Sequence, residues 1–240
     1  MKHLRLLIAT LLLISATSAK AQTARLYTSA DGLANSHIYD IFQDSKGFIW
    51  ISTENGLSRF DGMKFSTFRY DRLNENTIAS NTIRSVHEDS KGRFWVGTSA
   101  GLQIFDTEYS TFTKVNLEDW SVPDSDQHII SVMELEIIGK NRILAATSGH
   151  GIYILDADDQ RIDHDLQNTL NRMLPSKFIE NTFLDSKERL WVTTDLGGLN
   201  VFDMKNLTEI KGIWANGLSK ESMDTFNSFT EEAQTGNIYI

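Results

Sequence analysis

The chain has 240 residues, of which 40% are hydrophobic and 23% are charged, a balance typical of a folded protein with a sizeable core. Its formal net charge of −9 has the wrong sign for a nucleic-acid surface, so we expect no nucleic-acid partner for this segment. The absence of cysteine excludes disulfides, thiolate metal sites and a lipid-modified cysteine.

The first 21 residues have the pattern of an export signal. The basic residues Lys2 and Arg5 precede an apolar run over 6–14, and residues 19–21 supply the small side chains of a cleavage site. The run is shorter than the roughly 20 residues that a membrane-spanning helix needs. We therefore predict a signal peptide over 1–21 and a periplasmic location, with membrane attachment only through a further C-terminal part.

A seven-residue motif recurs along the chain. It reads DSKGFIW at 44–50, DSKGRFW at 89–95 and DSKERLW at 185–191. Alignment on its aromatic residue gives Trp50, Trp95, Leu144, Trp191 and Tyr239, at intervals of 45 to 49 residues. One active site needs one set of groups, whereas a structural unit needs its turn and core residues each time. The interval is that of a propeller blade.

Each repeat divides into four short strands. The first strand ends in the Asp-Ser-Lys-Gly turn, where glycine tolerates the positive φ of a tight hairpin, and Glu188 replaces that glycine in the fourth repeat. The second strand, as in Phe48 to Ile51, is apolar on successive residues and is predicted to be buried on both faces. The recurring tryptophans are therefore interpreted as core between blades rather than as sugar platforms.

These features predict an all-β fold, a β-propeller of four-stranded antiparallel blades with about four and a half blades and an incomplete ring. The predicted propeller covers 22–240, with a predicted closing strand at 23–27. The blades are expected at about 38–70, 83–115, 129–163 and 178–212, with a partial blade at 226–240.

The run DGLANSHIYDIFQDSKGFIWISTENGLSRFDG, from Asp31 to Gly62, resembles the two-component regulator propeller repeat. The resemblance implies a periplasmic sensor domain, an oligosaccharide or another small periplasmic ligand, a homodimer when full length, and an intracellular histidine kinase beyond these residues. The third repeat departs from the pattern, with Leu144 for tryptophan and an insertion around Glu136 to Asn141.

An enzymatic interpretation has less support. Sialidase-like boxes place an aspartate two residues before the glycine, whereas Asp44 lies three before Gly47, so the repeated aspartates are interpreted as turn residues. The histidines lack metal-ligand spacing. We expect no catalytic residue, no metal and no cofactor. A secreted glycan-active propeller enzyme and a protein-binding scaffold propeller remain the alternatives.

The turns after the first strands are nearly invariant, whereas the loops between the second and third strands differ in chemistry. A shared scaffold carries a specific site on its variable loops. These loops are predicted to form the ligand-binding face of the disc. The predicted ligand contacts are Glu54, Asn55, Ser99, His150 and Asp195.

Overall fold

The computed structural model describes residues 24–117, 129–195, 197–211 and 228–239. Within these ranges the chain forms five antiparallel sheets, one α-helix and a short 3-10 turn. No helix in the described ranges is long and apolar enough to cross a membrane. The predicted signal peptide lies outside the described residues, as do the predicted bounds at 212, 226 and 240.

The sheets follow one another along the chain, and the first four are named blades 1 to 4. Blade 1 contains β1 (Ile38–Gln43), β2 (Ile49–Thr53), β3 (Gly56–Phe60) and β4 (Phe65–Phe68). Blade 2 contains β5 (Ile83–Glu88), β6 (Phe94–Thr98), β7 (Gly101–Asp106) and β8 (Thr111–Val115). Blade 3 contains β9 (Val132–Ile138), β10 (Arg142–Thr147) and β11 (Ile152–Asp156), and is followed by helix α1 (His164–Met173). Blade 4 contains β12 (Ile179–Leu184), β13 (Arg189–Thr194), β14 (Gly198–Asp203) and β15 (Thr208–Glu209), and a final hairpin pairs β16 (Thr230–Glu231) with β17 (Ile238–Tyr239).

Within each blade the strands pair in chain order, as in a meander. The first strands of successive blades, β1, β5, β9 and β12, contact one another in turn. These inner strands therefore surround a common axis, as the predicted propeller requires. The described blades form an arc and do not close a ring.

The first turn of a blade is organised by its aspartate. Asp44 Oδ1 accepts the backbone N–H groups of Lys46 and Phe48 at 3.0 and 2.9 Å, and Asp44 Oδ2 accepts the indole Nε1–H of Trp50 at 2.9 Å. Asp89 and Asp185 make the same three kinds of contact in blades 2 and 4. The repeated aspartate thus closes the hairpin and satisfies the indole of a core residue, which confirms its interpretation as a turn residue.

The tryptophans fill the space between blades, as predicted. Trp50 and Trp95 are fully buried and Trp191 is 4% exposed. The Trp50 ring lies 4.9 Å from Phe94 and 5.5 Å from Phe105, both in blade 2. Burial on this scale makes each tryptophan a major contributor to the stability of the arc.

Blade 3 has three strands, which corrects the expectation of four strands in every blade. The place of the fourth strand is taken by a single bridge between Leu155 and Ile162. Helix α1 follows, with Leu166 and Leu170 packed into the apolar core. No helix was predicted after blade 3, so α1 is an addition to the predicted strands.

Blade 3 also lacks both members of the aspartate–tryptophan pair. Leu144 is fully buried at the tryptophan position, and Ile138, at the aspartate position, packs against the same core. With no indole N–H to satisfy, an aliphatic pair fills this part of the blade. The residues interpreted as an insertion continue β9 as far as Ile138 and then turn at 139–141.

Two further expectations concern single segments. Glu188 adopts φ +60°, so it takes the left-handed conformation that glycine supplies in the other turns. Residues 24–27, the described part of the predicted closing strand, belong to no strand, and the Tyr27 ring packs 4.9 Å from Phe60 of blade 1. Their role in closing a ring stays a prediction.

Neighbouring blades are also joined by a polar contact between a turn and the next inner strand. The carboxylate of Glu88 in blade 2 accepts the backbone N–H and the hydroxyl of Ser45 in the turn of blade 1, at 2.6 and 2.7 Å. Glu231 accepts the same two groups of Ser186 at 2.8 and 2.6 Å. The serine of the repeated turn therefore has an inter-blade role.

Candidate functional site

The loops between the second and third strands all lie on one face of the arc, named here the loop face. In every blade, the residue after the repeated threonine donates its backbone N–H to the carbonyl oxygen of the residue just before the inner strand. The four bonds join Glu54 to His37, Ser99 to Thr82, Ser148 to Ser131 and Asp195 to Phe178, at 3.0–3.2 Å. The Asp-Ser-Lys-Gly turns lie at the other end of the same strands, on the turn face.

The threonine at the start of each loop fixes its backbone. Thr53 Oγ1 donates to the carbonyl oxygen of Gly56 at 2.6 Å, and the Thr98 and Thr147 hydroxyls do the same at Gly101 and Gly151. In blade 4 the Thr194 oxygen instead accepts the backbone N–H of Gly197 at 3.1 Å. Because the backbone contacts repeat, the side chains between threonine and glycine are free to vary.

The structure places all five predicted ligand contacts on the loop face. Glu54, Asn55 and Asp195 are exposed, and Ser99 and His150 are half-buried. The Ser99 hydroxyl lies 2.7 Å from the Ser80 hydroxyl, so part of its hydrogen-bonding capacity is already used. Exposure thus supports Glu54, Asn55 and Asp195 as ligand contacts more strongly than it supports Ser99.

Sequence reasoning missed a second set of variable positions, on the inner strands. The register of the first strand with the second shifts by one residue near the start of each inner strand, which marks a β-bulge. The shift falls at the same position of every blade. The four residues at this position, named here the bulge residues, are Tyr39, Arg84, Met133 and Glu180.

Side-chain contacts link two of the bulge residues to the predicted loop residue Glu54. The guanidinium carbon of Arg84 lies 4.2 Å from the centroid of the Tyr39 ring, and that ring lies 4.8 Å from the ring of His37. His37 Nδ1 lies 3.6 Å from the carboxylate of Glu54. A continuous row of side chains therefore runs from the loop of blade 1 to the inner strand of blade 2.

Carboxyl groups lie on the same inner strands, next to the bulges. Burial raises the pKa of Glu134 to about 8, with a further rise from Asp40 and a partial offset from the Ser85 hydroxyl. Burial and the neighbouring Glu134 raise the pKa of Glu136 well above its usual value. Glu134 is therefore largely protonated at neutral pH, which lowers the cost of burying it.

His87, on the inner strand of blade 2, is a further titratable side chain beside these carboxyl groups. Burial lowers the pKa of His87, and the carboxylate of Asp40 opposes that shift. Asp40 Oδ2 also accepts the backbone N–H of Val86 at 3.1 Å, which links blades 1 and 2. Across the described ranges, no three His, Asp or Glu side chains are arranged to hold a metal ion.

The family model of the two component regulator propeller matches this chain twice, at residues 32–55 and 77–100. Residues 32–55 and 77–100 are therefore repeats of the two component regulator propeller family. The matched regulator propeller repeats contain Glu54, Asn55 and Ser99, and also the bulge residues Tyr39 and Arg84.

One curated relative matches part of the sequence. Over 68 residues, which are 27% of this chain, the sequence is 37% identical to histidine kinase P4 of Formosa agariphila. The match covers 5% of that kinase. The similarity is therefore confined to a small part of a much longer protein.

Two solved structures from B. thetaiotaomicron have a similar fold. The extracellular domain of BT4673, assigned as a one component system, superposes with a TM-score of 0.70 at 18% identity, over 92% of this chain and 30% of that chain. The extracellular domain of BT3049, assigned as a hybrid two component system, gives 0.69 at 22% identity, over 89% of this chain and 28% of that chain. The regulator propeller repeats thus adopt the fold of extracellular receptor domains, and this chain spans under a third of each.

Proposed function

We propose that this chain is the ligand-sensing propeller of an exported two-component receptor, that its loop face binds an oligosaccharide, and that binding regulates an intracellular histidine kinase. The two regulator propeller repeats are the single observation that carries this proposal. The extracellular receptor domains of similar fold and the partial match to a histidine kinase support it.

The predicted export signal supports a periplasmic location for the sensor. In that arrangement the ligand and the kinase lie on opposite sides of a membrane. Ligand binding must therefore change a conformation of the receptor that extends across the membrane. We propose a homodimer with two arrangements, of which the ligand binds one more tightly, since a ligand shifts an equilibrium only through such a difference in affinity.

The hydrogen bonds of the repeated aspartates support a ligand-binding role for the propeller over a catalytic one. Two glycosidase carboxyl groups must face one substrate with different pKa values. Asp44, Asp89 and Asp185 each accept backbone N–H groups and an indole N–H, and are buried in three different blades. Carboxylates held in this way serve the fold.

The proposal is tested by calorimetric titration of the complete sensor domain against an oligosaccharide library, followed by alanine variants on both faces. We expect Glu54→Ala, Asn55→Ala and Asp195→Ala to weaken binding of the selected sugar, with at least one losing about tenfold or more, a loss of about 1.4 kcal/mol. The matched controls on the turn face are Lys46→Ala and Lys187→Ala, which should bind normally.

A domain that binds no oligosaccharide would contradict the proposed ligand class. Loss of affinity at Lys46 and Lys187, with normal binding in the loop variants, would place the site on the turn face. Autophosphorylation of the full-length receptor, measured with and without the selected sugar, tests the link to the kinase. An unchanged rate would contradict that link.

A further inference from the structure

The β-bulges place four side chains of different chemistry at one structural position. A bulge removes its residue from the strand ladder and redirects the side chain, and bulges are frequent next to binding sites. The residue before each bulge is always β-branched and aliphatic, namely Ile38, Ile83, Val132 or Ile179. The bulge residues themselves are an aromatic, a cation, a thioether and an acid. The residue before the bulge therefore keeps its type in every blade, whereas the bulge residue changes its chemistry from blade to blade.

The bulge residues lie at the loop-face end of the inner strands. Each lies two residues after the residue whose carbonyl oxygen accepts the loop's backbone N–H, as Tyr39 lies after His37. The row of contacts through His37 joins Tyr39 to the same loop. A ligand on the loop face near the axis would therefore meet the bulge residues as well as the loops.

Arg84 is the bulge residue with unused binding capacity. Its Nε atom is buried and has no hydrogen-bond partner in the part of the chain that the structure describes. The ion pairs of the described residues do not include Arg84. Its guanidinium carbon lies 4.2 Å from the centroid of the Tyr39 ring. A buried donor without an acceptor is costly, so a partner is expected.

The geometry identifies the chemistry of that partner. The cation–π contact with Tyr39 holds the guanidinium carbon over the ring and uses none of its N–H donors in a hydrogen bond. A planar fork of donors binds the two oxygens of a carboxylate or sulfate group better than it binds a neutral hydroxyl.

Resting on the proposed function, we infer that Arg84 and Tyr39 form a subsite for an anionic group, a carboxylate or a sulfate ester, of the sensed oligosaccharide. Tyr39 supplies the platform that orients the cation, and Arg84 supplies the charge and the donors. The formal charge of the whole chain is −9, so attraction of an anion depends on this local arrangement and not on the overall field.

The test follows the side-chain Nε–H signal of Arg84 by NMR in the nitrogen-15-labelled sensor domain. The probes are glucuronate, glucose 6-sulfate and glucose, which share a ring and differ in charged group. The Arg84→Gln variant assigns the signal. Arg161→Gln, which removes the same charge from an exposed residue of the turn face, is the matched control, and the thermal midpoint of each variant verifies folding.

We expect glucuronate, glucose 6-sulfate or both to shift the Arg84 signal and glucose to leave it unchanged. Arg84→Gln should lower affinity for the responding probe at least tenfold, Arg84→Lys should retain part of it, and Arg161→Gln should retain all of it. An equal response to glucose, no response to either anion, or an equal loss in Arg161→Gln would overturn the inference. The proposed function fails separately, if the oligosaccharide library yields no ligand, and it survives if a neutral oligosaccharide binds the loop face without Arg84.

Discussion

The two faces of the arc differ in what repeats from blade to blade. On the turn face the side chains repeat, because Asp44, Asp89 and Asp185 each satisfy the tryptophan of their own blade. On the loop face the backbone contacts repeat and the side chains differ. Stability is thus concentrated in the turns and the core, which leaves the loops and bulges free to acquire ligand contacts. Each prediction below tests one side of this division.

The largest effect is expected from the core behind the turn face. Trp95→Ala should lower the free energy of unfolding by about 3–5 kcal/mol, because a fully buried aromatic side chain is removed. Urea unfolding of the complete sensor domain measures the change. Trp50→Ala and Trp191→Ala should behave alike. A tryptophan variant that unfolds normally but no longer binds sugar would reassign that residue to the binding site.

The inner strands predict a dependence of stability on pH. The folded pKa of Glu134 is about 8, above its usual value of 4.5, so folding favours the protonated form. Its contribution to stability is fully present below about pH 4.5 and is lost as the pH rises towards 8. Glu134→Gln should flatten this part of the profile in unfolding experiments at fixed temperature. An equally steep fall in the variant would assign the pH dependence to other groups.

The contact between blades 1 and 2 predicts a smaller effect. Glu88→Ala should cost about 1 kcal/mol, because the backbone N–H and hydroxyl of Ser45 lose a charged acceptor at a solvent-accessible site. Its matched control is Glu108→Ala, which changes an acidic side chain in an exposed turn of blade 2. Equal unfolding free energies for the two variants would show that the inter-blade contact contributes nothing.

The fourth turn offers a test with the opposite sign. Glu188→Gly should stabilise the domain by about 0.5–1 kcal/mol, because a non-glycine residue at φ +60° is strained and glycine is not. The loss of the Glu188–Lys205 ion pair, at 3.6 Å on the surface, offsets little of this gain. Thermal unfolding measures the difference, and a lower midpoint in the variant would contradict the argument.

Much of the fold could be predicted from the sequence. The aspartate, tryptophan, threonine and glycine positions each perform a repeated structural task, so their spacing predicts the strands and turns of blades 1, 2 and 4. Helix α1 escaped prediction because it lies in a connection rich in polar residues, although Leu166 and Leu170 have helical spacing.

The site could be predicted only in part. The loops were identifiable because their side chains vary between two fixed residues. The bulges were not, because a one-residue shift of register depends on how two strands pair and leaves no mark in the alternation of apolar residues. Glu134 and Glu136 alternate with Leu135 and so have the pattern of solvent-facing positions, whereas both are half-buried and Glu134 contacts the Ser85 hydroxyl of blade 2.

The smallest change in stability is expected on the loop face. Glu54→Ala, Asn55→Ala and Asp195→Ala remove exposed side chains and should each change the free energy of unfolding by no more than about 0.5 kcal/mol. Urea unfolding of the same samples that are used for binding provides the measurement. A loss of several kcal/mol would show that these residues maintain the fold.

Hydrogen–deuterium exchange of the complete sensor domain, with and without its selected oligosaccharide, tests the central claim most directly. The division of labour between the faces predicts that binding slows amide exchange in the loops 53–56, 98–101, 147–151 and 194–198 and at the starts of the inner strands. Protection confined to the turns 44–47, 89–92 and 185–188, with unchanged exchange in the loops, would contradict it.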